Sequence, residues 1–520
     1  MADYILEKLT VGVRKAPRDI DSKLHPVIAG KLGISPGEID YRILGKSIDS
    51  RRSEAVLIYR LAVSSGRKLD LPELSVEQLS ALGKAELPLP EKSTLRNPVV
   101  VGTGPAGIFG ALALAMAGAE PVIIDRGYPV DHRRAEWEKF LRSRSLDTEN
   151  NLLIGEGGAG AFSDGKLYTG TKDVNRRFIL QEMIEAGAPP EIAYLSRPHV
   201  GSDKLPQVSV NLRRKIEALG GKFLFGREVT DIAVSNGRCS GVRCGEEMIA
   251  APAVLLAPGL GGRELVRKLL GKVSYSMKPF QMGCRIEHPQ TLIDRCQYHT
   301  ANRPAALGAA EYHLVSRPGD AWNVSSFCMC PGGTVVNATA WEKHSISNGM
   351  SNYARNGEFA NSCLIATFGA DYFKDPQEAY GVIERMETSL FEAGGGDYTM
   401  IAQDAAAFLS GRVGLKNDRS SCETGIVPGR VDHLLISELQ SALRAALKFF
   451  DRKCPNFIRD GKFIGVESCV SSPVRLERNE NCESSLPGLF PAGEGVGAAG
   501  GILSGAADGI RCALAMLMLK

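Results

Sequence analysis

The chain has 520 residues, too many for one ordinary hydrophobic core, so two to four domains are expected. Its 44% apolar and 23% charged residues are those of a globular protein, and a net charge of +3 argues against an extended nucleic-acid-binding face. No run reaches the roughly eighteen apolar residues of a membrane span. Met1–Lys8 lacks the basic-then-apolar pattern of an export signal, and the twelve cysteines show no CxxC spacing, so they read as reduced thiols in a cytoplasmic protein.

Residues 1–93 read as a separate unit. Tyr4–Leu9 is strand-like, and Asp19–Leu32 is helical, with Ile20, Leu24, Val27, Ile28 and Leu32 near one face. Asp40–Ile48 and Glu54–Val63 read as two further strands joined at Asp49–Arg52. This β-α-β-β start is compatible with a small ferredoxin-like α+β domain. The Pro-containing stretch Leu87–Pro98 reads as an extended linker.

Residues 94–272 have an α/β pattern that opens on a glycine fingerprint. Val99–Val101 is a buried strand, Gly102–Gly107 a glycine turn, Ile108–Met116 a helix, and Pro121–Ile124 a second strand ending in Asp125. Gly102 permits the tight turn, Gly104 lets backbone approach a pyrophosphate, and Gly107 lets the helix pack on the sheet. The helix N-terminus offers unpaired N–H groups to the phosphates, and Asp125 stands where an adenosine ribose is usually held. Helices follow at Asn175–Ala186 and Val208–Leu219, and strands at Lys222–Phe225, Val229–Val234, Gly241–Cys244 and Val254–Ala257.

Residues 273–426 turn to longer strands, such as Phe280–Glu287, Trp322–Cys330 and Ser362–Phe368, with one helix at Pro376–Glu392. They predict an inserted β-rich substrate or cap domain. Residues 427–520 are expected to return to the first domain through Gly488–Gly495 and to end in a helix from about Gly501.

Three more glycine clusters carry chemistry. Gly155–Lys166 combines many glycines with Ser163, Asp164 and Lys166, as backbone lying flat against a large planar or phosphorylated ligand would require. Leu255–Gly262 is a buried strand ending in a tight turn, and Ala492–Ile502 an acidic turn leading into a helix. Glu494 can accept from ribityl hydroxyls, and the helix start can stabilise negative charge on a reduced ring.

Taken in order, the four clusters resemble FAD-dependent oxidoreductases with one dinucleotide-binding domain, an Ala-Thr-Gly-like strand end and a C-terminal Gly-Asp/Glu motif. Here the strand end is Ala257-Pro258-Gly259, with Pro258 in place of Thr and Leu260 after it. Gly155–Leu167, Met277–Pro289, Phe327–Gly333 and Pro491–Ile502 are more specifically similar to the bacterial family of uncharacterised FAD-dependent dehydrogenases, over nearly the whole chain. The resemblance implies a Rossmann-like FAD/NAD(P)-binding domain, FAD and a redox role, but no particular substrate. It implies cofactor contacts at Gly102, Gly104, Pro105, Ala106, Gly107, Asp125, Arg126, Gly157, Gly158, Ser163, Lys166 and Val229, and further on at Ala257, Gly259, Gly493, Glu494, Gly500, Gly501 and Ile502.

FAD is favoured over NAD because a glycine-rich acidic turn recurs near the far C-terminus, as a long ligand needs. No second GxGxxG stands between two strands, so NAD(P)H would dock only transiently on the flavin face. For catalysis, Lys166 sits near the flavin's pyrimidine edge or is a surface lysine. Arg285 and His288 orient or protonate a substrate carboxylate, or join Glu287 in a structural ion-pair cluster. Cys328 and Cys330, two apart on a strand, face one side and are either site thiols or core residues. No metal spacing is present. The expected function is an FAD-dependent oxidoreductase of a small molecule, with no nucleic-acid or membrane partner; the alternative is a flavin-carrying binding or RNA-associated protein. Oligomeric state is not legible.

Overall fold

The computed structural model describes every residue except 1, 52, 53, 81, 92, 169, 171, 172, 318, 320, 321 and 520. Arg52 of the expected turn and Lys92 of the expected linker therefore lie outside the described residues.

The N-terminal unit consists of β1 (Ala2–Gly12), α1 (His25–Leu32), β2 (Ile39–Asp49) and β3 (Val56–Ser65). Its antiparallel sheet has the order β1-β3-β2. The single helix expected over Asp19–Leu32 is instead a 3-10 turn at Ile20–Ser22 followed by α1. Pro26 dictates this, because proline is tolerated in a helix's first turn and not in its interior. Pro72–Leu74 hydrogen-bonds along the other edge of β1, and the short α2 (Val76–Ser80) follows.

The boundary at residue 93 needs correction. Leu87 and Leu95 are buried with the apolar residues of the next body, and Ser93 Oγ donates to Leu517 O at 3.2 Å. The stretch expected to be a free linker is thus strapped to the body that follows, because its leucines find a greasy surface there.

That body contains β4 (Val99–Val101), α3 (Pro105–Met116), β5 (Val122–Ile124), α4 (Val130–Ser143), α5 (Arg176–Glu185), α6 (Leu205–Ala218) and β6 (Lys222–Leu224). An antiparallel side sheet follows, β7 (Asp231–Ser235), β8 (Arg238–Cys244) and β9 (Glu247–Ala250), before β10 (Val254–Leu256), α7 (Arg263–Leu269) and β11 (Tyr275–Met277). The sequence pattern had not marked α4, whose apolar positions are few.

The next stretch runs through β12 (Phe280–Pro289), α8 (Gln290–Tyr298), β13 (Val315–Ser316), β14 (Val324–Cys330), β15 (Thr334–Asn337), β16 (Ser347–Met350), β17 (Phe359–Phe368) and α9 (Pro376–Ala393). It continues with β18 (Met400–Asp404), α10 (Ala405–Ser410), β19 (Ile426–Pro428), α11 (Ser437–Lys453) and β20 (Lys462–Glu467). The chain then returns through β21 (Val474–Leu476), β22 (Leu489–Pro491) and α12 (Ile502–Leu517).

Two sheets organise the molecule. The first is parallel throughout, in the order β22-β10-β4-β5-β6, a Rossmann-like sheet whose edge strand comes from the chain's far end. The second has seven strands, β13-β14-β17-β12-β20-β18-β19. Because β20 pairs with both β12 and β18, the inserted body does not end at residue 426 as expected but reaches Glu467. α3 is apolar on every side because α12 covers the face that the sheet does not. A Cβ on Gly509 would lie 1.9 Å from Ala106 O, which is how closely these two helices approach.

Cys296, at the end of α8, and Cys454, after α11, form a disulfide. The expectation of twelve free thiols fails there, since pairing depends on two segments far apart in sequence meeting in space. Among the described residues, no helix is long and apolar enough to cross a membrane.

Candidate functional site

The fingerprint turn is built from the strand end upward. At Gly102 (φ 93°) a side chain would meet Ala257 O at 2.2 Å, and at Gly107 a Cβ would lie 1.9 Å from Gly102 O. Both positions are glycine because the fold leaves no room. Gly104 differs: a Cβ there would meet nothing within 4 Å. It is the N-cap of α3, without a side-chain cap, and Pro105 takes the first turn. The N–H groups that a helix start leaves without internal acceptors therefore face open space, which is the arrangement that binds an anion.

The other three glycine clusters close on this turn. Gly157 N donates to Thr103 O at 3.0 Å, and a Cβ on Gly158 would sit 3.2 Å from Gly104 Cα. Gly160 lies against the side chains of Pro105 and Ile502. Gly493 lies against Ala106, and Gly495 against the carbonyl of Gly259. Gly501 (φ 82°) starts α12, again without a side-chain cap, so a second helix N-terminus opens beside the first. Ser163 closes the glycine loop, with Oγ donating to Gly160 O at 2.8 Å and accepting from Gly165 N at 3.0 Å.

Asp125 does more than the expected ribose contact requires. Its Oδ2 accepts from Thr103 N at 2.9 Å and from Thr103 Oγ1, and its Oδ1 accepts from Gly127 N at 2.8 Å. The carboxylate holds the fingerprint turn itself. Arg126 beside it has a buried Nε with no hydrogen-bond partner, and its Nη1 lies 3.5 Å from Glu228. Gly226 N and Arg227 N donate to Gly127 O and Asp125 O, pinning the loop that carries the buried Val229.

Beneath the glycine loop lies a support that the sequence reading missed. Arg133 of α4 is fully buried, and its guanidinium donates to the carbonyls of Asn151, Glu156 and Gly158. Burial lowers its pKa to about 10, so it stays charged at neutral pH. Glu156 accepts from Val130 N at 2.9 Å and from Arg213 at 2.7 Å. Only the unusual placing of an arginine on the apolar face of α4 could have signalled this role.

Glu494, in the C-terminal turn, accepts from Ser472 N at 3.0 Å, lies 3.6 Å from Lys278 Nζ, and its other oxygen faces Gly500. Burial pushes its pKa up, against the opposing pull of Lys278.

The catalytic candidates separate into two groups. Lys166 is no surface lysine: its side chain is 13% exposed and its Nζ lies 2.7 Å from Asp164. Arg355 pairs with the same carboxylate, with Nε 2.9 Å from Oδ1. Cys328 and Cys330 face this cluster, and both thiols sense Lys166. Arg285 is fully buried, but its partner is Glu467 at 2.7 and 2.9 Å, not the neighbouring Glu287, and Asn361 takes Nη1 at 2.7 Å. Glu287 instead accepts from Ser421 N at 3.0 Å. His288 packs on Phe457 and shares a 2.8 Å hydrogen bond with its carbonyl, and burial lowers its pKa to about 4. Neither Arg285 nor His288 is presented to a substrate carboxylate, because each is saturated or enclosed by the inserted body. Among the described residues, no group of three or more His, Cys, Asp or Glu side chains is placed to hold a metal ion.

A family model described as FAD-dependent protein, C-terminal domain-like, matches residues 279–470, the inserted body. An uncharacterized protein of Clostridium beijerinckii is 38% identical over 506 residues, 94% of this chain and 95% of its own length. The chain belongs to this family of FAD-dependent proteins. FAD is its cofactor, and FAD-dependent oxidoreduction its class of chemistry. Among solved structures, CtdE in complex with FAD covers 80% of the FAD-dependent chain and 82% of its own, at 11% identity and a TM-score of 0.32. The 3-ketosteroid-Δ4-(5α)-dehydrogenase from Rhodococcus jostii RHA1 covers 82% and 98% at 14% identity, TM-score 0.34. L-Proline dehydrogenase from P. horikoshii covers 82% and 92% at 11% identity, TM-score 0.33. Likeness at that level bears on neither substrate nor mechanism.

Proposed function

We propose that FAD lies in the cleft where the four glycine clusters meet, running from the N-terminus of α3 toward that of α12, and that the protein passes electrons between this cofactor and a small molecule. The observation that carries the reading is the open space at Gly104, beside which Gly158 approaches and Gly160 meets Pro105 and Ile502, so that three distant parts of the chain converge there. In this reading Gly102–Gly107 receive the pyrophosphate, and Asp125, Arg126 and Val229 surround the adenosine. Gly157, Gly158, Ser163 and Lys166 line the next stretch. Ala257, Gly259, Gly493, Glu494, Gly500, Gly501 and Ile502 complete the far end. When bound, FAD supplies the hydride chemistry. The chain's part is to hold the pyrophosphate on the start of α3, place the start of α12 at the far end and set a fixed charge, Lys166, between them.

The reading includes a transient NAD(P)H on the open ring face as a route for electrons, since among the described residues no second run of strand, GxGxxG, helix and following strand occurs. It also takes the N-terminal unit, with its β1-β3-β2 order, as an incomplete ferredoxin-like domain. Acid release of the cofactor from purified protein, followed by chromatography, tests the central point. FAD is the expected product; FMN, or no flavin across several preparations, overturns it.

A further inference from the structure

Strand β14 is irregular at one place only, and that place carries two thiols. Its register against β17 slips between Phe327 and Cys330, where three steps on one strand oppose two on the other. Cys328 sits inside this bulge at φ 47°, a left-handed conformation that a side chain adopts only under constraint. A regular strand would hold residues two apart in parallel, separated side chains. Here the bulge folds Cys330 back on its neighbour: Cys330 Sγ donates to Cys328 O at 3.2 Å. Cys330 is fully buried, whereas Cys328 is half-buried.

The surroundings are charged and drawn from three elements. Lys166 faces both thiols from the glycine loop, and Arg285 of β12 brings Nη1 to 3.4 Å from Cys328 O. The two acids nearby are already matched, Asp164 by Lys166 and Arg355 and Glu467 by Arg285.

We propose that Cys328 and Cys330 are a redox-active dithiol–disulfide pair that exchanges two electrons with the bound FAD. The inference rests on the placement of FAD given above, because the same loop touches Gly104 at Gly158 and faces the thiols at Lys166. Cys330, with Lys166 and Arg285 behind it, draws the Cys328 pKa below the ordinary thiol value, while that of Cys330 rises well above it. The reduced pair in this proposal is one thiolate, at Cys328, and one thiol, at Cys330. Oxidation forms the Sγ–Sγ bond and breaks the Cys330 S–H bond. Two electrons and that one proton pass to oxidised FAD, giving its singly protonated two-electron-reduced anion. Charge and atoms balance, and the reverse step reduces the disulfide.

The test uses the holoprotein. Air-oxidised protein is denatured in acid, alkylated and digested, and the peptide bearing Cys328 and Cys330 is weighed, with and without prior reduction by dithiothreitol. The expected result is no label and a mass two hydrogens lower in the oxidised sample, against two labels after reduction. In parallel, anaerobic dithionite titration should take two more electrons per flavin in the wild-type protein than in Cys328→Ser. Two labels in the oxidised sample, or equal electron uptake, overturns the proposal; the mass measurement needs no variant and so does not depend on Cys328→Ser folding. A preparation that shows no flavin absorbance overturns the FAD placement and the exchange with it, and is recognised by that absence of colour.

Discussion

Gly158 faces Gly104 across the mouth of the fingerprint turn, so closely that a methyl group on Gly158 would come within 3.2 Å of Gly104 Cα. Glycines 54 positions apart thus form opposite lips of one slot, and a side chain on Gly104 would point into open space.

Gly104→Val should separate binding from folding. The valine enters empty space in the flavin-free protein, so thermal unfolding of that form should change little, while the flavin absorbance of the purified protein is lost. Gly107→Ala should behave differently and damage the fold, since its methyl meets Gly102 O. Circular dichroism melting with absorbance at 450 nm distinguishes the two, and normal colour in Gly104→Val refutes the placement.

Asp125→Ala removes the acceptor of two backbone N–H groups and one hydroxyl. The flavin-free protein should lose about 2–3 kcal/mol of stability, the range for hydrogen bonds to a charged group. Urea unfolding of the apoprotein reads this directly. A purely ribose-binding carboxylate would leave the apoprotein unchanged.

Asp164→Asn leaves Lys166 and Arg355 buried without their shared counter-charge, and should destabilise by about 3–5 kcal/mol. Burial alone would raise the Asp164 pKa, but Lys166 and Arg355 outweigh it and hold the carboxyl well below the usual range. Its contribution is thus complete above the ordinary carboxylate pKa of about 4 and fades only as pH falls further. Between pH 5 and 8 the defect of Asp164→Asn in urea unfolding should therefore be constant.

His288 acts in a higher pH window. Burial depresses its pKa to about 4 in the fold, so its contribution is full above the unfolded value near 6.5 and is lost as pH falls toward 4. The loss is on the order of 3 kcal/mol from the two values. His288→Gln keeps a donor but does not titrate. Its Tm should fall less than that of the wild type between pH 7 and pH 4.5, and parallel falls would contradict the assignment.

The strapped segment gives a deletion test. Removing residues 1–84 leaves Leu87, Ser93 and Leu95 in place on the FAD-binding body, and should leave flavin bound. Removing residues 1–93 strips Leu87 and Ser93 and should lower Tm further. Equal Tm in the two truncations would show that the strap contributes nothing.

What was legible followed from how local each feature is. The fingerprint, α3 and β5 are contiguous, so glycine spacing and apolar runs specify them without help from the rest of the chain. The end of the inserted body was misplaced because β20 joins its sheet only through pairing with the distant strands β12 and β18, and nothing near residue 426 reveals that. The same distance explains Arg285, whose obvious neighbour Glu287 points to Ser421 while its true partner sits on β20. Arg133 and Arg355 carry no local pattern, and Asp125 stood in the right place but is turned toward Thr103. Pairing of Cys296 with Cys454 needs α8 and α11 to meet, which no spacing rule encodes.

β22 completes the parallel sheet as its edge beside β10, and α12 opens the second helix start next to Gly160. On a ribosome these pieces are made after every other part of the site. A nascent chain can assemble the N-terminal unit early, yet it must carry β10 with a bare edge, and α3 without its covering helix, until residues 489–517 have emerged. Cofactor capture therefore waits for α12. A premature stop that removes only α12 should yield a colourless, aggregation-prone product rather than a weakened holoenzyme.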